Sequence, residues 1–424
     1  MIPLAIGIDI GTSGARAVAM RPDYSIAAQS AVQLAGFGDN ARSPSIWWSA
    51  VSAALEELLP AIEPAAVRSI AVDGTSGTVL PVNGAGEPLA EPLMYNDKVS
   101  DGTILSMVAR EAPETSAAHG ATSGLAKALW FQRLPGVAAV LHQADWIAGR
   151  LSSRFDVSDE NNCLKTGYDP ESRRWPDWIA ATGMRTELLP SVVEPGEVTA
   201  RISLGIADQF GLPRDVLVVA GTTDGCASFL ATGAEAAGEG VTALGSSLTI
   251  KILSDRPISA PRFGIYSHRL GNAWLAGGAS NSGGKVLAQH FSLARIIELS
   301  ATIDTATETG LDYYPLGAAG ERFPIADPAL SPRMAPRPTD DGEYLKAMLE
   351  GIAAIEALGY RRLAELGAPK LTSVRSVGGG AANHAWTAIR QRKLGVDFLP
   401  ALSDAAAAGT ARLALKGAGS AGLL

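Results

Sequence analysis

Two distant stretches of this chain are versions of one another, and that repeat limits the folds open to it. LAIGIDIGTSGARAVAM, residues 4–20, returns in altered form as GVTALGSSLTIKIL at 240–253. In each copy a short apolar run ends at a Gly-[Ser/Thr]-Ser turn and a second β-rich run follows at once. Gly11-Thr12-Ser13 therefore matches Gly245-Ser246-Ser247. A repeat of such long period predicts two similar domains, each opening on the same hairpin. The order of elements carries chemistry. Dinucleotide and P-loop sites need strand–turn–helix, whereas this order is strand–turn–strand. Two such hairpins facing one another would present two sets of backbone N–H donors to one polyphosphate.

The 424 residues, 47% hydrophobic and 18% charged, are enough for two or three domains with ample core. A net charge of −8 without any Lys/Arg block argues against nucleic acid and against anionic membrane surfaces as partners. The two cysteines, Cys163 and Cys226, lack metal or CxxC spacing, and the five histidines form no ligand-like cluster. A reducing compartment is implied and zinc is not. Residues 1–10 are too short for a secretory core and are interrupted by Asp9, and no apolar run approaches the roughly 18 residues of a span. The expectation is a soluble, cytoplasmic protein.

Along the chain, Leu4–Ile10, Arg16–Met20 and Ser25–Val32 read as a three-stranded meander, followed by a helix over about 45–60. Ile70–Val72 and Thr78–Val82 read as strands, and residues 100–200 as a cap of short helices and loops. Val216–Ala220 is a predicted strand, Gly221-Thr222-Thr223-Asp224-Gly225 a turn, and Cys226–Thr232 a helix. The second meander is expected over Val241–Leu253, Phe263–His268 and Ala273–Ala276. Helices are expected at 285–300, 341–366 and 383–394, with a strand at Val374–Val377. The alanine-rich Ala405–Leu415 predicts a last helix that returns to pack on the first domain.

Asp9 ends a buried strand just before Gly-Thr-Ser-Gly, where a carboxylate can hold Mg²⁺ against phosphates. Thr12, Ser13 and the N–H groups around Gly11 can bond phosphoryl oxygens. Asp224 follows an apolar strand and begins a helix; it is either a cap or the base that takes the proton of an attacking hydroxyl. Gly378-Gly379-Gly380-Ala-Ala-Asn383 lies between strand and helix, so a ring or ribose can approach the glycines and Asn383 can bond a purine edge. Gly278-Ala-Ser-Asn-Ser-Gly-Gly-Lys285 fails as a P-loop, because Val286 stands where Ser or Thr is needed. Ser280 and Asn281 are instead open candidates for nucleotide contact. Asp73-Gly-Thr-Ser-Gly-Thr78 and Tyr95-Asn96-Asp97 gather hydroxyls, amides and carboxylates suited to a polyhydroxylated ligand, with Ser76, Gly77 and Asp97 foremost. The tryptophans are expected in the core, and Lys127 and Lys165 in solvent.

Together, IGIDIGTSGARAVA, VDGTSGTVLPVNGAGEPL, VVAGTTDGCASFLATGA, GLDYYPLGAAGERFPIADP and VGGGAANHAWTAIRQRKLG resemble the FGGY family of carbohydrate kinases along essentially the whole chain. DGTSGT, EPLMYND, QADWIAGRL, DENNCLKTGYDP and GLDYYPL are most similar to the short D-ribulose kinases of cyanobacteria and plants. The resemblance implies an α/β fold of two actin-like (ribonuclease H-like) ATPase domains flanking a catalytic cleft. Residues 1–231 would be the sugar-binding domain, with the helix of 405–424 packing back, and 232–404 the nucleotide-binding domain. ATP and Mg²⁺ are the implied cofactors, with Asp224 as catalytic base and Asp9 and Thr12 at the magnesium–phosphate centre. Gly245 and Ser246, with Ser247, would form the second phosphate loop, Gly379, Gly380 and Asn383 the adenosine site, and Ser76 and Gly77 the sugar contacts. Many xylulose kinases carry a Gln-Met-His type segment where this chain has Thr75-Ser76-Gly77, and SGLAKALWFQR keeps only Lys127 and Trp130 of the family's first signature.

The expected reaction is ATP-dependent phosphorylation of D-ribulose to D-ribulose 5-phosphate. D-xylulose, L-ribulose or a pentitol is the alternative within the class. Outside it stand an actin-fold ATPase and a catalytically silent sugar sensor.

Overall fold

The sequence repeat is realised as two sheets with a shared strand order. The computed structural model describes residues 1–424. In the first sheet, β1 (Leu4–Ile10), β2 (Gly14–Met20) and β3 (Ile26–Gln33) form an antiparallel meander. They are joined by β4 (Val67–Gly74), β5 (Val198–Arg201) and β6 (Leu217–Thr223) in the order β3-β2-β1-β4-β6-β5. β4 runs parallel to both β1 and β6. The second half repeats the pattern with β7 (Glu239–Leu244), β8 (Leu248–Ser254), β9 (Ala273–Ala279), β10 (Ser373–Val377) and β11 (Asp397–Leu399), ordered β9-β8-β7-β10-β11. Again the first three are antiparallel and the last two join in parallel. Two compact units result: Met1–Ala231 with His268–Gly271 and Ala405–Leu424, and Thr232–Ser267 with Asn272–Asp404.

Central β1 is buried at every residue, as its unbroken apolar run requires of a strand covered on both faces. Edge strand β3 is at most half-buried throughout. The helices that matter to the site are α1 (Pro44–Leu58), α2 (Gly124–Phe131), α3 (Gln143–Ser152), α4 (Asp224–Ala231), α5 (Asp341–Glu365), α6 (His384–Leu394) and α7 (Ala406–Ser420). α1 starts with Pro44 at a position where the missing N–H costs nothing, and turns Trp47, Val51, Leu55 and Leu58 to the core.

The alanines of α7 serve close approach. A Cβ on Gly7 would stand 2.1 Å from the Ala407 carbonyl oxygen, and one on Gly409 would stand 1.9 Å from that of Ala227. Only residues without bulk let this helix lie directly on β1 and α4, and that contact carries Thr410 to the sheet. In the second unit, the core around α5 encloses an ion pair: Arg390 donates to both Glu356 oxygens at 2.6 and 2.8 Å. Thr242 on β7 adds a 2.6 Å bond to the same carboxylate.

Several expectations need correction. β6 continues through Gly221-Thr222-Thr223, where a turn was expected, because parallel β4 extends to Gly74 and keeps pairing with it. No strand spans 263–267; Pro261–Phe263 is a single 3-10 turn. The helix expected over 285–300 is two, Gly284–Ala288 and Leu293–Ser300, the second begun by Ser292, whose hydroxyl accepts from the Arg295 N–H. No helix is long and apolar enough to cross a membrane.

Candidate active site

Three carboxylates meet at the C-terminal ends of three adjacent inner strands of the first sheet because of strand register. Asp9 on β1 stands opposite Asp73 on β4, and Thr223 on β6 stands opposite Gly74, so the next residue, Asp224, opens α4 beside them. Asp9 is 5% exposed and takes a 2.9 Å ion pair from Arg16, its cross-strand partner on β2. Asp73 is wholly buried. Thr410 of α7 donates to its Oδ2, while Oδ1 is buried without a partner. Burial, with the Asp9 and Asp224 charges, pushes the Asp73 carboxyl well above the usual carboxylate range, against the pull of Thr410. Asp73 thus lies with Asp9 and Asp224, whereas the sequence grouped it with the hydroxyls of residues 75–78. Asp224 Oδ1 accepts from the Gly225 N–H at 2.7 Å. The Gly11 N–H closes the hairpin turn onto Gly14 O at 3.0 Å, with Thr12 and Ser13 exposed at its tip.

After β4, residues 75–78 fold into a knot of hydroxyls. Thr75 Oγ1 and Thr78 Oγ1 lie 2.6 Å apart, and Gln143 Oε1 accepts from Thr75 N–H and O–H at 3.0 and 2.7 Å. The Tyr95 N–H donates to Thr78 Oγ1, tying in the Tyr95-Asn96-Asp97 segment. Asp97 accepts two bonds from Arg42, at 2.7 and 3.2 Å, and one from the Met94 N–H. Ser76 Oγ is buried and unpartnered, a condition that a ligand hydroxyl would relieve.

Lys127 is not in solvent. It is fully buried on α2 and donates to the carbonyls of Gly77 and Met94, each at 2.7 Å. Lys165 is half-buried. Sequence reasoning missed Gln143, Arg42 and Thr410. The one available signal was for Lys127, a lone lysine inside the apolar run of SGLAKALWF. Of the tryptophans, Trp47 and Trp146 are core residues as expected, while Trp130 is 45% exposed.

In the second unit, Gly245 and Ser246 are exposed at the tip of the matching hairpin, with Ser247 half-buried. Residues 282–285 brace it: the Gly284 N–H reaches Gly245 O at 2.9 Å and the Lys285 N–H reaches Ser246 O at 3.1 Å. Ser280 is buried and donates to Glu321 at 2.6 Å, and Asn281 is held by Glu321 and Gly320. The Ser280 hydroxyl is thus turned to Glu321, while Asn281 remains exposed. Asn383 caps α6 by accepting from the Trp386 N–H and donates to Ser300 Oγ at 2.8 Å, which leaves one side-chain N–H. Nothing lies within 4 Å of a Cβ built on Gly379, so a flat group has room there; a Cβ on Gly380 would meet the Trp386 ring at 2.6 Å.

No group of three or more His, Cys, Asp or Glu side chains could by itself hold a metal ion. A hard cation at Asp9 would take its other oxygens from phosphate and water, which is how Mg²⁺ is usually held. Both cysteines are buried, and burial pushes the Cys163 thiol up, so it is unreactive.

Residues 4–231 match the N-terminal domain, and residues 240–418 the C-terminal domain, of the FGGY family of carbohydrate kinases. The chain belongs to that family. It is a carbohydrate kinase, an enzyme with a sugar and ATP as small-molecule substrates. Similar proteins include a xylulose kinase from Klebsiella pneumoniae, 25% identical over 405 residues, covering 89% of this chain and 82% of that one. An L-fuculokinase from Salmonella typhi is 25% identical over 437 residues, covering 94% and 88%. The solved xylulose kinase from Rhodospirillum rubrum superposes with a TM-score of 0.82 at 23% identity, covering 98% of this chain and 90% of that one. These kinases share the two-domain, actin-like α/β fold. Xylulose kinases predominate among the relatives, so the narrower likeness to D-ribulose kinases is not carried by these comparisons.

Proposed function

We propose that this kinase phosphorylates a ketopentose, D-ribulose first, at its terminal hydroxyl to give the 5-phosphate. The observation that carries the reading is the Thr75-Ser76-Gly77 segment: a buried, unpartnered Ser76 hydroxyl stands where many xylulose kinases have a Gln-Met-His type segment. Ser76, Gly77 and Asp97 contact the sugar. Asp224 takes the proton of the terminal hydroxyl as its oxygen forms a bond to the γ-phosphorus and the bond to the ADP oxygen breaks. The N–H groups and hydroxyls of Thr12 and Ser13 hold the transferring phosphoryl oxygens, on the tight turn that the Gly11 N–H closes. Gly245, Ser246 and Ser247, with Gly379, Gly380 and the remaining N–H of Asn383, hold the rest of the nucleotide. Mg²⁺, where bound, supplies charge neutralisation to the phosphates, and Asp9 is the side chain that would anchor it. Positioning and electrostatics supply most of the rate in such transfers.

D-Xylulose is the second reading, favoured by the number of xylulose kinases among the relatives. ADP release with Mg-ATP across D-ribulose, D-xylulose, L-ribulose, L-xylulose, ribitol, arabitol and glycerol separates them. Selective turnover of D-ribulose is expected. Preference for D-xylulose would replace the first reading with the second, and turnover of glycerol or a pentitol alone would overturn both.

A further inference from the structure

The buried Lys127 ammonium is the strangest group in the first unit. Burial and Lys165 draw its pKa down to about 8 against the opposing pull of Asp97. The fold therefore carries a charge that it solvates poorly, at a place where a methionine would fill the same space without that cost. Packing does not explain the lysine; its two hydrogen bonds do.

Those bonds end on two different loops. Gly77 O belongs to the turn after β4, next to Ser76; Met94 O precedes Tyr95-Asn96-Asp97, and the Met94 N–H is already held by Asp97 at 2.7 Å. The same two segments are joined at their base by paired backbone bonds between Val79 and Leu93, at 3.0 and 2.9 Å, and beyond that pair by a second tie from the Tyr95 N–H to Thr78 Oγ1 at 3.1 Å. Both loops carry the residues assigned above to the sugar. We infer that Lys127 is a positioning residue for sugar recognition: by bridging the Gly77 and Met94 carbonyls it sets the separation of the Ser76 and Asp97 loops, and with it the choice among ketopentose epimers. The inference rests on the sugar site of the proposed function. It adds a residue that touches no substrate yet governs which one fits. A clamp of this kind acts on ground-state binding and discrimination. It leaves the proton transfer at Asp224 and the nucleotide residues of the second unit untouched.

The test compares wild type with Lys127→Met, Lys127→Gln and Thr78→Val, measuring KM and kcat for each pentulose, KM for ATP and thermal melting. Lys127→Met is expected to raise the KM of the preferred sugar at least tenfold and to narrow the kcat/KM ratio between the two best sugars at least fivefold. Its kcat should stay within threefold and its ATP KM within twofold. Lys127→Gln, which keeps a neutral N–H donor group on a shorter stem, should fall between. Thr78→Val, which cuts the parallel tie, should show the same sugar-only signature, and these two variants decide the matter if Lys127→Met does not fold. Folded variants with unchanged sugar KM and ratio would overturn the clamp, and so would an equal loss in sugar and ATP parameters, which marks a merely structural lysine. Should wild type prefer a sugar other than a ketopentose, the proposed substrate falls while the clamp is judged on the sugar it does accept.

Discussion

The two copies of the sheet differ most where they look most alike. At the end of its first strand, one copy has Asp9 beside Asp73 and the other has Ala243 beside Val377. The first copy then gathers Asp224 as well, and leaves the wholly buried Asp73 without a cation among its side-chain partners. The second copy does the reverse. Its buried Glu356 is matched by Arg390, and its buried Glu321 is saturated by Ser280, Asn281 and Tyr314. One scaffold thus carries two electrostatic regimes. The poorly compensated Asp73 lies in the copy proposed above to do the chemistry, and the satisfied carboxylates lie in the copy proposed to bind the nucleotide through backbone and glycine. The comparison teaches that a repeated hairpin predicts a fold twice but a reaction only once.

If the charges of the second copy are structural, Glu356→Ala should cost about 3–5 kcal/mol by leaving Arg390 buried and unpaired. Chemical denaturation should show this loss while kcat, measured on folded protein, changes less than threefold. A large loss of kcat at unchanged stability would break the division. In the first copy Asp9→Asn should lower kcat by roughly 10²–10³-fold, the scale of losing one preorganised electrostatic group. Steady-state kinetics at saturating ATP would check it. Ala243→Asp would give the second copy the carboxylate it lacks, and repulsion should raise the ATP KM about tenfold or more with sugar KM unchanged. An unaffected ATP KM would remove the second hairpin from the nucleotide site.

The smallest effect concerns pH. Burial, and behind it the Asp145 charge, pushes the Asp159 carboxyl up to about 7, despite bonds from Asn161 and Asn162. The folded state then holds a proton that the unfolded chain has released. The stability tied to that proton is complete below about pH 4 and is lost as pH rises through 7. Asp159→Asn should flatten the stability–pH curve between 4 and 8; an unchanged slope would show that Asp159 does not titrate there.

Much of this was legible in residue order. Apolar runs ending on Gly-[Ser/Thr]-Ser announced both hairpins, and the small residues of 405–415 announced a helix that lies on the sheet. Asp9 and Asp224 were visible because each sits at a strand end, where side chains gather from several strands. Asp73 was visible as an acid but not as a neighbour of Asp9, since parallel register is set by packing of whole strands. Lys127 and Gln143 were hidden for a related reason: their partners lie 33 to 68 residues away, and a polar side chain inside an apolar helix looks solvated until its acceptors are known. Asn383 was read as a nucleotide contact, and half of its side-chain bonding capacity goes to a helix cap and Ser300.

The division of labour is tested most directly by Asp224→Asn, with kcat from sugar-dependent ADP release and ATP affinity from calorimetry on the same preparation. A fall in kcat of about 10²–10⁴-fold is expected, the span of general-base catalysis, with the ATP dissociation constant within twofold of wild type. Substantial residual turnover, or ATP affinity falling in step with kcat, would contradict it.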